Sequence, residues 1–96
     1  MAIRYTWDPR KNAANKRKHG VTFEAAVRIF EGFTVEQHDD RHAYEEIRET
    51  AIGIVNNLEL YVVFADISDE EWRIISARPA DKQERETYWE ARRRHE

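Results

Sequence analysis

Three runs of β-branched, aromatic and other apolar residues lie close together in the second half of the chain and predict three consecutive strands. They span residues 47–55, 58–65 and 72–78, separated by Asn56-Asn57 and by the polar stretch 66–71. The middle run is apolar on both faces between Leu60 and Phe64, which is typical of a central strand covered on both sides. An antiparallel meander is the simplest topology for runs so close together.

Two helices are predicted before these strands. Asp8 is a preferred N-cap and proline suits the first helical position, so the first helix runs from about Pro9 to His19. Gly20 can adopt the positive φ that commonly follows a helix. A second helix starts after the N-cap Thr22, presents apolar residues at helical spacing on one face, and ends at Gly32.

A third helix and a first strand are predicted near the two ends of the chain. The helix begins after Pro79, where Asp81 and Glu84 have the spacing of a capping box, and it continues to about Arg94. Alternation of apolar and polar residues from Ile3 to Trp7 predicts a short strand.

The middle of the chain completes the order of elements. Phe33 to Glu36 is a candidate short strand, and the acidic stretch Gln37 to Glu46 is predicted to be a loop. The order is then β-α-α-β-β-β-β-α. Helices gathered on one face of an antiparallel sheet make an α+β fold, and 96 residues suffice for one such domain, spanning residues 1–96.

The composition excludes several classes of protein. The chain has no cysteine, which rules out disulfides, thiolate metal sites and cysteine nucleophiles. It has no apolar run near the ~20 residues that cross a bilayer and no signal-peptide pattern, so we expect a cytoplasmic protein without a membrane partner.

The charge of the chain is segregated along the sequence. The formal net charge of −3 does not by itself suggest a nucleic-acid binder. However, the stretch from Arg10 to His19 holds five basic residues and no acidic one, whereas Glu31 to Glu49 holds seven carboxylates against two arginines. The basic stretch either binds a polyanion or is a solvated helix face.

Two arginines lie on the last of the three predicted strands. Regular alternation places Arg73 and Arg78 on opposite faces of the sheet. The planar guanidinium fork fits phosphate oxygens bidentately, so a phosphate-bearing ligand is the first functional hypothesis. The alternative is that both arginines are solvated or paired with some of the many carboxylates.

Without cysteine, phosphate chemistry in this chain would depend on histidine, arginine, lysine, glutamate and tyrosine. Cleavage of RNA needs no metal: it requires removal of the 2′-hydroxyl proton, stabilisation of the charged phosphorane and protonation of the leaving 5′ oxygen. The candidate residues are His19, Glu24, Arg73, Arg78, Arg85 and Tyr88. For His19 the alternative is an ordinary residue at the C-terminal end of a helix, interacting with its dipole.

The stretch from His38 to His42 has the composition of a metal site, with two histidines four residues apart. Ligation at that spacing needs a helix and a third ligand, and an acidic loop with exposed histidines explains the pattern equally well. No metal or other cofactor is therefore expected.

An ordered set of motifs resembles the BrnT toxins. The motifs are Trp7-Asp8, Lys18-His19-Gly20, Arg73-Ile74-Ile75-Ser76-Ala77-Arg78, and Glu84-Arg85 followed by Tyr88. The resemblance implies a RelE-like fold and a ribonuclease that inhibits translation, acting on RNA that is free or on the ribosome. It also implies a BrnA-like antitoxin with a ribbon-helix-helix part, through which alone the toxin would meet DNA.

The resemblance also implies roles for individual residues. His19 is the candidate acid or base, and Arg73 and Arg78 are candidate phosphate binders. Arg85 and Tyr88 are candidate contributions of the last helix to the same surface. The expected RNA contacts of the basic stretch are Lys11, Lys16 and Lys18. The alternative function is a non-catalytic or inactive module that binds a DNA-binding antitoxin and acts in a repressor complex.

Overall fold

The computed structural model describes residues 2–39 and 47–95. The elements of this part of the chain, in order, are β1 (Arg4–Thr6), α1 (Pro9–His19), α2 (Phe23–Ala26), a 3₁₀ helix (Val27–Glu31), β2 (Val35–Asp39), β3 (Ile47–Val55), β4 (Leu58–Ser68), β5 (Glu71–Pro79) and α3 (Lys82–His95). The predicted order of strands and helices is confirmed. No helix among the described residues is long and apolar enough to span a bilayer.

The ends of the helices follow the capping residues that the sequence indicates. The Asp8 side chain accepts a hydrogen bond from the backbone N–H of Arg10, and Gly20 has the positive φ of 74° that ends α1. Thr22 accepts from the N–H of Ala25 and begins α2. The predicted second helix differs in form, because its α-helical part ends at Ala26 and the 3₁₀ helix continues it.

A two-residue turn joins β3 to β4. Both of its residues have positive φ, 51° at Asn56 and 66° at Asn57. Positive φ at both central positions defines a type I′ turn, whose twist matches that of the flanking strands, and asparagine tolerates this conformation better than most residues. The turn fixes the register in which Val55 pairs with Leu58.

The five strands form one sheet in the order β1-β5-β4-β3-β2. The strands β2 to β5 form the predicted antiparallel meander. In contrast, β1 pairs with β5 in parallel, which makes the sheet mixed. Pairing between the first and last strands leaves no local signal in the sequence, because residues 7–70 separate them.

The strand β2 extends into a stretch that was predicted to be a loop. It runs from Val35 to Asp39 and pairs along its whole length with β3, so the loop prediction was wrong for residues 37–39. Hydrogen bonds to the neighbouring strand outweigh the polar composition here. The rest of the predicted loop, residues 40–46, lies outside the described part of the chain.

Apolar side chains pack on both faces of the sheet rather than on one. On β3, Ala51 and Val55 belong to a first cluster with Phe23 and Ile29, which come from α2 and the 3₁₀ helix. A second cluster contains Ile52, Ala80 and Tyr88, with Ile54 packed against it. Because β3 is apolar on both sides, α2 and the 3₁₀ helix cover one face and α3 covers part of the other.

Gly53 allows the 3₁₀ helix to lie close to β3. A Cβ atom at this position would lie 2.6 Å from the Cβ of Ile29 and 3.2 Å from the Cγ2 of Thr34. Such a distance to Ile29 is far shorter than van der Waals contact, so only glycine fits at this crossing without a shift of the backbone.

Candidate nucleic-acid interface

A bulge in β5 changes which of its side chains share a face of the sheet. Phe64 of β4 pairs with Ile74, whereas the preceding residue, Val63, pairs with Ser76. Ile75 is therefore an extra residue in β5. A bulge of this kind reverses the alternation of side chains beyond it.

The bulge brings Arg73 and Arg78 to the same face of the sheet. Ile74 and Ala77 both pack in the first cluster, although they are three residues apart. Arg73 precedes Ile74 and Arg78 follows Ala77, so both arginines point away from that cluster and towards the face that α3 partly covers. The prediction that they lie on opposite faces was wrong, because it assumed unbroken alternation.

Arg78 is held by three groups. Its Nη1 and Nη2 donate hydrogen bonds of 2.9 and 2.8 Å to the two carboxylate oxygens of Glu84, and Nη1 also donates to the Pro79 carbonyl at 3.2 Å. The guanidinium lies over the ring of Tyr61, 4.3 Å from its centroid. The hydrogen bonds that Arg78 donates to Glu84, more than any other influence, raise the pKa of Arg78.

Arg73 is the more available of the two arginines. Its side chain is 52% exposed and lies 3.9 Å from the carboxylate of Glu71. That distance is too long for a hydrogen bond, so this ion pair leaves the N–H donors of Arg73 available to another acceptor. Glu71 itself is bound more closely by the Thr6 hydroxyl, at 2.8 Å, and by Arg4, at 3.2 Å.

A row of residues on α1 runs along the free edge of β5. Lys11, Asn15 and His19 are four residues apart and therefore lie on one side of the helix. Lys11 and Arg73 line the same surface cavity, of about 400 Å³. Basic side chains from α1 and β5 thus meet at this edge, where the pairing with β1 ends at Arg73.

Asn15 attaches α1 to the edge of β5. Its buried side-chain amide donates to the carbonyls of Ala77 and Val21, at 2.7 and 2.9 Å, and its oxygen accepts from the Ala77 N–H at 3.2 Å. It thereby pairs with Ala77 as a neighbouring strand would. The sequence motifs indicate no role for Asn15, and the available signal is its position midway between Lys11 and His19.

His19 is the last residue of α1 and is half-buried. It lies one helical turn beyond Asn15, on the side of α1 that is attached to β5. Since Lys11 lies beside Arg73 and Asn15 beside Ala77, α1 runs in the direction of β5, and His19 comes at the end of the strand that holds Arg78.

The two remaining candidate lysines differ in position. Lys18 is exposed and lies seven residues from Lys11, so it shares that side of α1. Lys16 is exposed nearer to α2. There the hydrogen bond from Asn12 lowers the pKa of Glu24, and the charge of Lys16 adds to this effect.

The structure places Arg85 and Tyr88 away from Arg73. Tyr88 is 1% exposed in the second cluster. Its hydroxyl donates to the Phe33 carbonyl at 3.3 Å and accepts from Arg92. Arg85 donates to the carbonyl of Ala80 at 2.8 Å and lines a different cavity. The structure therefore does not bring the Tyr88 hydroxyl to an exposed surface.

The histidine pattern is only partly described. His38 lies on β2, with its Nδ1 2.9 Å from the Oε1 of Glu49, and residues 40–42 lie outside the described chain. Within residues 2–39 and 47–95, no group of three or more histidine, cysteine, aspartate or glutamate side chains could hold a metal ion.

A polar cleft adjoins Arg78 on the same face of the sheet. It has a volume of about 300 Å³ and lies between the first turns of α3 and the strands β2, β3 and β4. Its lining residues are Val35, Gln37, Thr50, Ile52, Tyr61, Asp81, Gln83, Glu84 and Thr87. Tyr61 is common to the cleft and to the stacked Arg78. No sequence motif predicts this cleft, because its residues come from four separate elements.

Comparison with known proteins agrees with this architecture. The sequence profile of the family described as "Ribonuclease toxin, BrnT, of type II toxin-antitoxin system" matches residues 7–84. The 1.1 Å crystal structure of the Brucella abortus ribonuclease toxin BrnT is similar, with a TM-score of 0.63 and 25% sequence identity. The match covers 84% of this chain and 100% of the Brucella chain. No curated protein matches the sequence.

The matching family profile and the shared α+β fold place the chain among the small ribonuclease toxins of type II toxin–antitoxin systems. More specifically, the chain belongs to the BrnT family, which confirms the resemblance of the sequence motifs.

Proposed function

We propose that this chain is a metal-independent endoribonuclease whose active surface is formed by β5 and the adjacent side of α1. One observation carries the proposal: the bulge at Ile75 puts Arg73 and Arg78 on one face, and the row of Lys11, Asn15 and His19 runs along the edge of the same strand. A single-stranded RNA lying across this edge would meet positive charge from both elements.

The proposed reaction is an internal transfer of the RNA phosphate. A base removes the proton of the 2′-hydroxyl, and the 2′ oxygen attacks phosphorus while the bond from phosphorus to the 5′ oxygen breaks. An acid protonates the departing 5′ oxygen. The products end in a 2′,3′-cyclic phosphate and a 5′-hydroxyl, and no oxidant, water or metal enters this step.

The surface suggests a role for each group. His19 acts as the acid or the base, because an imidazole can do either near neutral pH. Arg73 and Lys11 bind the phosphate oxygens, and Arg78 stabilises the negative charge that develops on the phosphorane. Lys16 and Lys18 attract flanking phosphates.

Arg85 and Tyr88 take no part in the proposed reaction. The position of Tyr88 in the second cluster supports a role in holding α3 on the sheet. The hydrogen bond from Arg85 to Ala80 supports a similar role at the start of that helix.

The family membership supports a cognate antitoxin as the partner that controls this activity. We propose a BrnA-like antitoxin with a ribbon-helix-helix part, through which the toxin reaches DNA. Cleavage of RNA would inhibit translation and growth, with the toxin acting in the cytoplasm, where messenger RNA is translated.

The proposal is tested with purified, antitoxin-free protein and a defined RNA in the presence of a chelator. The parent is expected to cleave and to leave 2′,3′-cyclic phosphate or 3′-phosphate ends. His19→Ala should reduce the rate by roughly 10²- to 10⁴-fold, and Arg73→Ala by roughly 10²-fold. Arg94→Ala, which removes an exposed arginine paired with Glu90, is the control and should cleave like the parent.

An RNA that is cut only on the ribosome requires a second arm with translating ribosomes. A parent protein that is inactive in both arms, or that needs a divalent metal, contradicts the proposal. Full activity of both His19→Ala and Arg73→Ala would contradict the site.

One observation favours the alternative of a non-catalytic module that docks an antitoxin. The fork of Arg78, the group best shaped to hold a phosphate, is occupied by Glu84. In that case, Arg73→Ala and Arg78→Ala would weaken antitoxin binding, and neither the parent nor the variants would cleave RNA. The catalytic proposal expects the opposite: loss of cleavage while antitoxin affinity is retained.

A further inference from the structure

We infer that the cleft between α3 and the strands β2, β3 and β4 is a nucleobase site, which takes one unpaired base of the RNA and prefers a base with an exocyclic amine over uracil. This inference rests on the proposed function, since it assigns the substrate preference of the same surface. The volume of the cleft, about 300 Å³, is at the lower end of the range for small-ligand sites and gives room for one base.

The side chains at the mouth of the cleft suit the edge of a base. Gln37, Gln83 and Thr87 are all exposed and line it. Each glutamine amide offers two donors and an acceptor, and the threonine hydroxyl offers both functions. Proteins recognise single-stranded RNA mainly by such hydrogen bonds to the edges of splayed-out bases.

The floor of the cleft suits the plane of a base. Val35 and Ile52 contribute apolar surface, and the Tyr61 ring lies beside them. Thr50 is buried below, where its hydroxyl lies 3.4 Å from the Gln37 carbonyl. An aromatic and aliphatic floor under a polar rim favours a flat, weakly polar ring system over a phosphate.

Two carboxylates make the cleft selective among bases. Asp81 and Glu84 both line it, and Asp81 is the more available acceptor because Glu84 already accepts two hydrogen bonds from Arg78 and one from the N–H of Asp81. An ionised carboxylate only accepts hydrogen bonds, and it has about four lone-pair sites. The exocyclic amines of adenine, cytosine and guanine can donate to such a group, whereas the carbonyl oxygens of uracil at the same positions would be repelled.

The cleft lies next to Arg78, which belongs to the proposed phosphate site. Arg78 stacks on Tyr61 and is bonded to Glu84, and both of those residues line the cleft. A base in the cleft would therefore have its backbone phosphate near Arg78. Carboxylates on the base side and a guanidinium on the phosphate side match the two parts of one nucleotide.

The test measures base preference without cleavage, by fluorescence anisotropy with short 2′-O-methyl oligonucleotides. The methyl group blocks the attacking 2′ oxygen, so binding is observed alone. The parent is expected to bind oligo(A) and oligo(C) about tenfold more tightly than oligo(U). Asp81→Asn keeps a side-chain oxygen but adds an amide donor that a uracil carbonyl can accept, so this variant should bind all three within roughly a factor of two of one another.

A matched control lies on the same helix. Glu86 is exposed on α3 but lines a different cavity, with Arg85 and Trp89. Glu86→Ala should therefore keep the full preference of the parent. Because Asp81 is exposed and asparagine is an equally good N-cap, Asp81→Asn should leave the fold intact, which circular dichroism of this variant checks.

The outcomes separate this inference from the proposed function. A parent without the preference, an Asp81→Asn variant that keeps it, or a parent that binds none of the oligonucleotides overturns the nucleobase site. Cleavage of unmodified RNA by such a parent would leave the ribonuclease proposal standing. Conversely, a preference that Asp81→Asn loses and Glu86→Ala keeps supports the nucleobase site even if the parent cleaves nothing.

Discussion

Arg78 and Glu84 form an ion pair with two hydrogen bonds, of 2.9 and 2.8 Å, that joins the bulged strand β5 to the first turn of α3. The same carboxylate also accepts the backbone N–H of Asp81 at 2.8 Å, and the Asp81 carboxylate accepts the N–H of Glu84 at 2.8 Å. This reciprocal pair is the capping box that the sequence predicts. One glutamate thus starts the last helix and orients an arginine of the candidate interface.

Replacing Glu84 should show how much each of its two roles contributes to stability. Glu84→Ala loses both the cap and the ion pair, and we expect a loss of about 2 kcal/mol in the free energy of unfolding. Glu84→Gln keeps an oxygen for the cap but loses the charge, so about 1 kcal/mol is expected, since the Arg78 side chain is 36% exposed and solvent weakens the pair. Urea denaturation measures both values.

The control for this experiment is another ion pair on the same helix. Glu90→Ala removes the exposed pair with Arg94 and should cost less than about 0.5 kcal/mol. If Glu84→Ala is as stable as Glu90→Ala, the Arg78 pair and the cap contribute nothing measurable in solution.

Local signals in the sequence predicted the local structure well. Asp8 and Gly20 mark the ends of α1, and Asn56-Asn57 marks the β3–β4 turn, because each signal acts through the backbone conformation or the hydrogen bonds of its immediate neighbours. The parallel pairing of β1 with β5 could not be predicted in this way. It depends on two strands that are far apart in the sequence.

The candidate site was predictable by residue type but not by geometry. Arg73 and Arg78 stand out in the sequence, yet an inserted residue, Ile75, decides which face they share. Regular alternation carries no information about such a bulge. Similarly, Tyr88 suits phosphate chemistry by its hydroxyl, and only the packing of α3 on the sheet reveals that it is buried.

The amide of Asn15 should be important for the stability of the fold. Asn15→Ala leaves the buried N–H and carbonyl of Ala77 and the carbonyl of Val21 without the partner seen in the structure. Loss of such bonds in a buried position should cost about 3 kcal/mol, and thermal and urea unfolding would both detect it.

The control for Asn15 is an exposed residue on the same helix. Arg17 lies two residues further along α1 and is exposed. The free energy of unfolding of Arg17→Ala should therefore lie within about 0.5 kcal/mol of that of the parent. Equal stability of Asn15→Ala and Arg17→Ala would refute the role of Asn15.

A side chain at Gly53 should destabilise the fold, whereas a side chain at Gly32 should be tolerated. In Gly53→Ala the new Cβ would lie 2.6 Å from the Ile29 Cβ, so the 3₁₀ helix must move, and a loss of about 1–3 kcal/mol is expected. Gly32 has extended backbone and no atom within 4 Å of an added Cβ, so Gly32→Ala should lie within about 0.5 kcal/mol of the parent. Urea denaturation of the two variants compares them directly. A Gly53→Ala variant as stable as Gly32→Ala would show that the 3₁₀ helix is not held against β3.

Glu71 should make the stability of the protein depend on pH. The Thr6 hydroxyl, followed by the charges of Arg4 and Arg73, lowers the pKa of Glu71 below its ordinary value of 4.5. The folded state therefore binds the proton less readily than the unfolded state, and the stabilisation is present above pH 4.5 and is lost as the pH falls through the lower folded pKa. Glu71→Gln should have a lower free energy of unfolding than the parent at neutral pH, and this difference should become smaller in acid.

The hydroxyl that lowers this pKa can be tested separately. Thr6→Val removes the strongest partner of Glu71 without removing the carboxylate, so the difference from the parent should also narrow as the pH falls below 4.5. In a Glu71→Gln background, the cost of Thr6→Val should no longer change with pH, because the titrating group is absent. The measurement is urea denaturation of the parent, the two single variants and the double variant at several pH values above and below 4.5. A cost that still varies with pH in that background would assign the dependence to a group other than Glu71.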